Sequence, residues 1–199
     1  MKNTRHARGI TLIETLVWIA LTVIIVEALG LTLNYYYRTN RYAIQQANAV
    51  TSGQRGLDRM VRVIREAAYS SEGAFPIVSI DGDDLVFYAD IDADPLIERV
   101  HYFIDGTTLV EGIIEPSGNP PAYSGSETES VIAEYVRNTS QSVPLFEYFD
   151  ELGNEITSYS NWANVRFIKA TLIVNVDEST LPNQLSMSSS ASLRNLIGR

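Results

Sequence analysis

The run Arg8-Gly9-Ile10-Thr11-Leu12-Ile13-Glu14-Thr15-Leu16-Val17-Trp18-Ile19-Ala20-Leu21 decides how the rest of the chain is read. A basic leader meets a glycine, and an apolar helical run follows that carries one carboxylate, Glu14, near its start. A carboxylate inside a membrane helix costs about 3 kcal/mol on insertion scales, so it marks a functional site whose partner must be found. Its neighbours three and four residues away, Thr11, Ile10, Val17 and Trp18, offer no side-chain cation. Cleavage after Gly9 would supply one, an α-ammonium at Ile10 on every copy of the chain.

Working outward, Lys2, Arg5 and Arg8 in residues 1–9 favour a cytoplasmic N-terminus, a bias that Arg38 and Arg41 on the far side weaken. Residues 10–34 are almost wholly apolar, and the run from Ile10 to Val26 spans roughly 26 Å at about 1.5 Å per residue, close to a bilayer's hydrocarbon thickness. Glu27 then falls near the outer interface, followed by Tyr35-Tyr36-Tyr37, which suit an interfacial belt or packing against protein. Two plainer readings compete. In a secretory signal, Ala28-Leu29-Gly30 would be the cleavage site, but Glu14 and the apolar length are wrong for an h-region. A plain membrane anchor would have no use for Glu14.

The leader ending in Gly9, the apolar start and Glu14 together resemble the prepilin signal of type IV pilins and type II secretion pseudopilins. The resemblance implies that a prepilin peptidase cuts between Gly9 and Ile10 and methylates the new amine. It implies that Glu14 is the assembly carboxylate, pairing with the N-terminus of a neighbouring subunit. Ile10 stands where the family usually has Phe, and Glu27 is a second acid in a segment that is commonly apolar. The implied partners are other pilins or pseudopilins, the peptidase, the inner-membrane assembly platform and, before assembly, membrane lipid. The implied location is the cytoplasmic membrane, single-pass with an extracytoplasmic head, and then a cell-surface or periplasmic filament.

Beyond residue 34 the helical pattern continues. Ala43, Ala47, Val50, Gln54, Leu57, Val61, Ile64 and Ala68 recur at alternating spacings of four and three, a narrow stripe expected to dock on a sheet. Gly53 and Gly56 interrupt it as soft points, and the helix is expected to end near Ser70, before Ser71, Gly73 and Pro76. After Pro76 the period becomes two. Strands are expected over 77–80, 85–89, 97–104, 108–114, 145–149, 165–176 and 186–196, separated by Asp81-Gly82-Asp83, Asp105-Gly106-Thr107 and Leu152-Gly153-Asn154 turns. Residues 115–129 read as an irregular loop, and 131–136 as a short helix or a strand. The fold class is therefore α+β: a long N-terminal helix, membrane-spanning over 10–34 and amphipathic over 35–70, packed on a mainly antiparallel β-rich head of residues 71–199.

Scattered segments of the head, Phe87-Tyr88-Ala89-Asp90, Glu98-Arg99-Val100, Gly118-Asn119-Pro120, Glu134-Tyr135-Val136-Arg137-Asn138 and Ser192-Leu193-Arg194-Asn195-Leu196, resemble minor pilins of the J-type pseudopilin class and related competence-pilus proteins. What that implies is a non-enzymatic, low-abundance subunit at or near a filament tip that helps to start assembly. A tip module that binds DNA, a surface or a secreted protein is the alternative, and an anchored enzyme or sensor a third.

Charge and composition narrow the chemistry. The net charge of −9 is concentrated in residues 71–199, where six cations face twenty acids, a poor surface for nucleic acid. The arginines at 55, 59, 62 and 65 form a ridge that reads as a solvated helix face before it reads as a DNA contact. With no cysteine, disulfides, thiolate metal sites and thiol catalysis are excluded. Asp90, Asp92 and Asp94 open like a calcium loop, but Pro95 and His101 occupy the positions where an EF-hand needs Gly and Glu. The segment is either a solvated acidic turn or a different calcium site, with Asp81, Asp83 or Asp84 as further ligands. His101 reads as a structural strand residue, and His6 falls in the leader, so no nucleophile–histidine pair, phosphate loop or other catalytic set stands out. Asn138-Thr139-Ser140 matches a glycosylation acceptor by composition alone.

Overall fold

The computed structural model describes residues 11–92, 94–176 and 184–196. The leader, Gly9 and Ile10 lie outside the described residues. The fold is α+β: one long N-terminal helix, α1 (Leu12–Arg65), precedes a head built on antiparallel sheets. The chain divides into two compact units, between Ile44 and Gln45.

In the first unit every described residue through Arg41 is exposed, and the helix is apolar on all sides from Leu12 to Leu33. Such a helix matches a membrane span in length and composition.

In the second unit β1 (Ile77–Ile80), β2 (Asp84–Ala89), β3 (Glu98–Asp105), β4 (Thr108–Ile114) and β5 (Thr128–Glu134) form an antiparallel meander in that order. After a short helix, α2 (Asn138–Gln141), the strands β6 (Phe146–Phe149), β7 (Phe167–Val174) and β8 (Leu185–Ser192) form a second antiparallel sheet. An isolated bridge, Val136 to Val174, joins the two. The alternation expected in 165–176 holds only over its first part: Ile168, Ala170, Leu172 and Val174 are buried and Lys169 and Thr171 half-buried, but Ile173 and Asn175 are buried as well and Val176 is half-buried. Leu85, Phe87 and Tyr102 from the first sheet meet Phe146, Tyr148 and Ile168 from the second, with Met60 and Ile64 of α1, in one continuous core. Each such side chain, fully withdrawn from water, contributes about 1.5–3 kcal/mol.

The helix meets this core through a face rotated from the expected stripe. Ala43, Ala47 and Gln54 are exposed, whereas Ala49, Gly53, Gly56, Met60 and Val63 are buried beside Leu57, Val61 and Ile64. The glycines carry no apolar signal, yet they are the points of closest approach. A Cβ placed on Gly53 would lie 2.8 Å from Met187 Cε, and one on Gly56 only 2.7 Å from the Ile132 carbonyl oxygen. They are packing contacts with β5, β7 and β8, not soft points.

The helix ends earlier than expected, at Arg65, although no Gly or Pro stands there. Ala67 leaves it to form a bridge with Ala89, and the Ala68 amide donates to the Tyr88 carbonyl, 2.9 Å. A tertiary pairing therefore terminates the helix, with Arg62 and Arg65 placed favourably at its negative end. Residues 131–134 are strand, in β5, and Tyr135 at φ 60° turns the chain out of it.

Candidate functional site

Two places carry chemistry that packing alone does not explain. The first is the start of α1. Leu12, Ile13, Leu16, Trp18 and Ile19 are each more than 60% exposed. An apolar surface of this extent belongs in a membrane or against protein, because soluble monomers seldom expose more than a few hundred Å² in one patch. Glu14 sits within it, and from Thr11 to Tyr37 the sequence has no Lys or Arg. Glu14 also has a local role open to it. Its amide donates to the Thr11 carbonyl at 3.1 Å and lies 3.4 Å from Thr11 Oγ1, and T-x-x-E is the spacing of a capping box.

The second place is the turn between β2 and β3. Ala89 and Glu98 are directly paired in register, which carries the Glu98 carboxylate back beside Asp90 and Asp92. One carboxylate oxygen from each of the three lies within 4.8 Å of the other two. Glu98 is fully buried. Its Oε2 accepts the Ile91 amide at 2.9 Å, and its Oε1 has no hydrogen-bond partner. Burial pushes the Glu98 carboxyl above the usual carboxylate range against the Ile91 bond, and Glu115 and Asp92 add to the rise. Glu115 is itself pushed up, by desolvation and then by Asp92 and Asp94.

The carboxylates that come together are Asp90, Asp92 and Glu98, the last a residue that the D-x-D-x-D spacing does not include. Asp94 accepts the Leu96 amide at 2.6 Å and shapes the turn. The further candidates are engaged elsewhere: Asp81 accepts the Gly82 amide, Asp83 the Leu145 amide, and Asp84 faces His101. Glu98 could have been found from its phase, because Glu98, Val100 and Tyr102 alternate as the inward residues of β3.

The remaining polar clusters are structural. His101 lies 2.8 Å from both Asp84 and Glu127 and stacks on Phe103, tying β2 to the approach to β5. Arg59 is exposed on the helix face, as the ridge reading expects, and its head group is also engaged. It pairs with the buried Glu111, which also accepts from Tyr102 Oη at 2.8 Å. Arg65 donates to the Ser190 carbonyl at 2.9 Å. Asn138 is buried, so its side chain is closed to modification in the folded head. An open groove of about 400 Å³ lies between Asp150 and Arg166. Both residues are engaged by local backbone, Asp150 accepting from the Leu152 and Asn154 amides and Arg166 donating to the Ala163 and Val165 carbonyls.

No protein-family profile and no curated protein matches this chain.

Proposed function

We propose that the chain is a non-enzymatic filament subunit, a minor pilin or pseudopilin of a type IV pilus or type II secretion pseudopilus. In this reading prepilin peptidase removes residues 1–9, and the protein waits in the cytoplasmic membrane with its head outside. It then enters a filament at or near the tip. The observation that carries the reading is Glu14: a lone carboxylate near the start of an exposed apolar helix, with no side-chain cation within reach along that helix. In a membrane alone this carboxylate is a cost without a return. In a filament it accepts a charged hydrogen bond from the Ile10 α-ammonium of a neighbour as both leave lipid for the filament core.

The docked second half of α1 supports the same reading. Met60 and Ile64 root the second half of the helix in the head. The acidic head and the engagement of Arg59 and Arg65 weigh against nucleic acid as a partner.

The test is mass analysis of the N-terminus of the chain extracted from its own cells. A mature protein beginning at Ile10, with or without one added methyl group, is expected. An intact leader, or cleavage after Gly30, contradicts the proposal.

A further inference from the structure

We propose that Asp90, Asp92 and Glu98 form a binding site for one divalent cation, with calcium as the ion it fits, fastening the β2–β3 turn to the buried edge of the first sheet. Three carboxylate oxygens within 4.8 Å of one another suit a single ion. Calcium's oxygen ligands lie at about 2.3–2.6 Å, so two of them on opposite sides of the ion are about 4.6–5.2 Å apart.

An acidic turn is commonplace, and the buried acid is what distinguishes this one. Glu98 is withdrawn from solvent at an inward position of β3, where Val100 and Tyr102 succeed it, and one of its oxygens has no partner. A buried carboxylate left half-satisfied is costly, and a cation supplies both the charge and the missing coordination. Asp92 is exposed and is fixed by the Asp94 amide on Oδ1 at 3.1 Å. Asp90 lies between them in exposure. The site therefore runs from an open rim to a closed floor, which lets an ion enter from solvent and lets water complete its coordination.

The frame around the site is held before any ion arrives. The Ile97 amide donates to Ser71 Oγ at 2.9 Å, Tyr123 Oη donates to the Ile97 carbonyl at 2.6 Å, and the Tyr123 ring packs on Tyr88 at 4.9 Å. These contacts fix both ends of the turn. The irregular ligand set, two residues from a turn and one from a strand, suits calcium's flexible coordination better than the near-ideal octahedron magnesium demands. Glu115, beside the cluster, adds to the negative field that would draw the ion in.

The experiment uses the full chain in detergent, stripped of metal with EDTA. Calcium chloride is titrated calorimetrically, and melting is followed in calcium and in EDTA. One calcium ion per chain is expected, with Tm raised on the order of 5 °C at calcium about 100-fold above Kd. Asp92→Asn, on the exposed rim, should weaken binding tenfold or more without unfolding the head. Glu98→Gln should abolish the calcium-dependent shift, and Asp94→Asn should retain it. Equal melting in calcium and EDTA overturns the proposal. So does a shift of undiminished size in Asp92→Asn, or one lost in Asp94→Asn and kept in Glu98→Gln. Because binding is read on isolated chains, these outcomes do not depend on filament assembly.

Discussion

Arg59 closes a two-point ion pair on Glu111, Nε to Oε1 at 2.8 Å and Nη2 to Oε2 at 2.7 Å, joining the helix to the middle of the first sheet. Glu111 is opposite Tyr102 in β3 and opposite Ser130 in β5, so the carboxylate is braced from both neighbouring strands. The contact to Glu111 holds the Arg59 guanidinium pKa above its ordinary value, and burial together with Glu111 pushes the Tyr102 hydroxyl up. Arg59→Met keeps much of the stem and strands a carboxylate that is 1% exposed. Since the arginine itself is half-exposed, the expected loss is about 2 kcal/mol rather than the larger cost of breaking a fully buried pair. Urea unfolding of the full chain in detergent measures it. A midpoint unchanged in Arg59→Met would show that water, not arginine, satisfies Glu111.

Gly56 is predicted to be the least replaceable small residue of α1. Alanine gains about 1 kcal/mol of helix propensity at an ordinary position. At Gly56 the new methyl meets a backbone carbonyl, Ile132 O, that cannot swing aside, whereas at Gly53 the nearest atom is the flexible tip of Met187. Gly56→Ala should therefore destabilise by about 1–3 kcal/mol, and Gly53→Ala by clearly less. Thermal melting of the two variants side by side decides the order.

Asn138 is predicted to be structural despite its acceptor-like sequence. Its Oδ1 accepts the Ile173 amide at 2.8 Å, and its Nδ2 donates to the Thr171 carbonyl at 2.7 Å and the Val143 carbonyl at 3.2 Å. Asn138→Ala leaves buried backbone groups of β7 unpaired, at an expected cost of about 2–4 kcal/mol. Asn138→Asp should also fail, because Asp offers the acceptor and loses the donors. Proteolysis rates of the two variants would be close if this is correct.

Strands were legible where chemistry and period agreed. The Asp105-Gly106 turn, with Gly106 at φ 58°, and the alternation of Ile168, Ala170 and Leu172 both act locally, so they leave a trace in sequence. β5 was only half legible because Thr128, Glu129, Ser130 and Val131 are all exposed, and an edge strand without a buried face has no period to read. The docking face of α1 leaves no trace in an apolar count, because Gly53 and Gly56 make contact through the absence of a side chain. The end of α1 depends on a bridge to Ala89, a partner more than twenty residues distant. At the acidic site, Asp90 and Asp92 were visible as neighbours, while Glu98 joins them only through strand register.

The central claim is that the charge of Glu14, not its place in a helix cap, joins subunits. Both roles are available to the side chain, because Thr11 precedes it at capping spacing, and glutamine separates them: it serves a capping box as well as glutamate does and carries no charge. Leaving the partner ammonium unpaired in an apolar core should cost about 3–5 kcal/mol per contact, enough to exclude the subunit. The measurement is the amount of chain in sheared or secreted filaments, relative to total membrane protein, for the natural sequence, Glu14→Gln, Glu14→Leu and Glu27→Gln. The account predicts that both Glu14 variants are cleaved after Gly9 yet absent from filaments, and that Glu27→Gln is incorporated normally. Normal incorporation of Glu14→Gln would contradict it and reduce Glu14 to a helix cap.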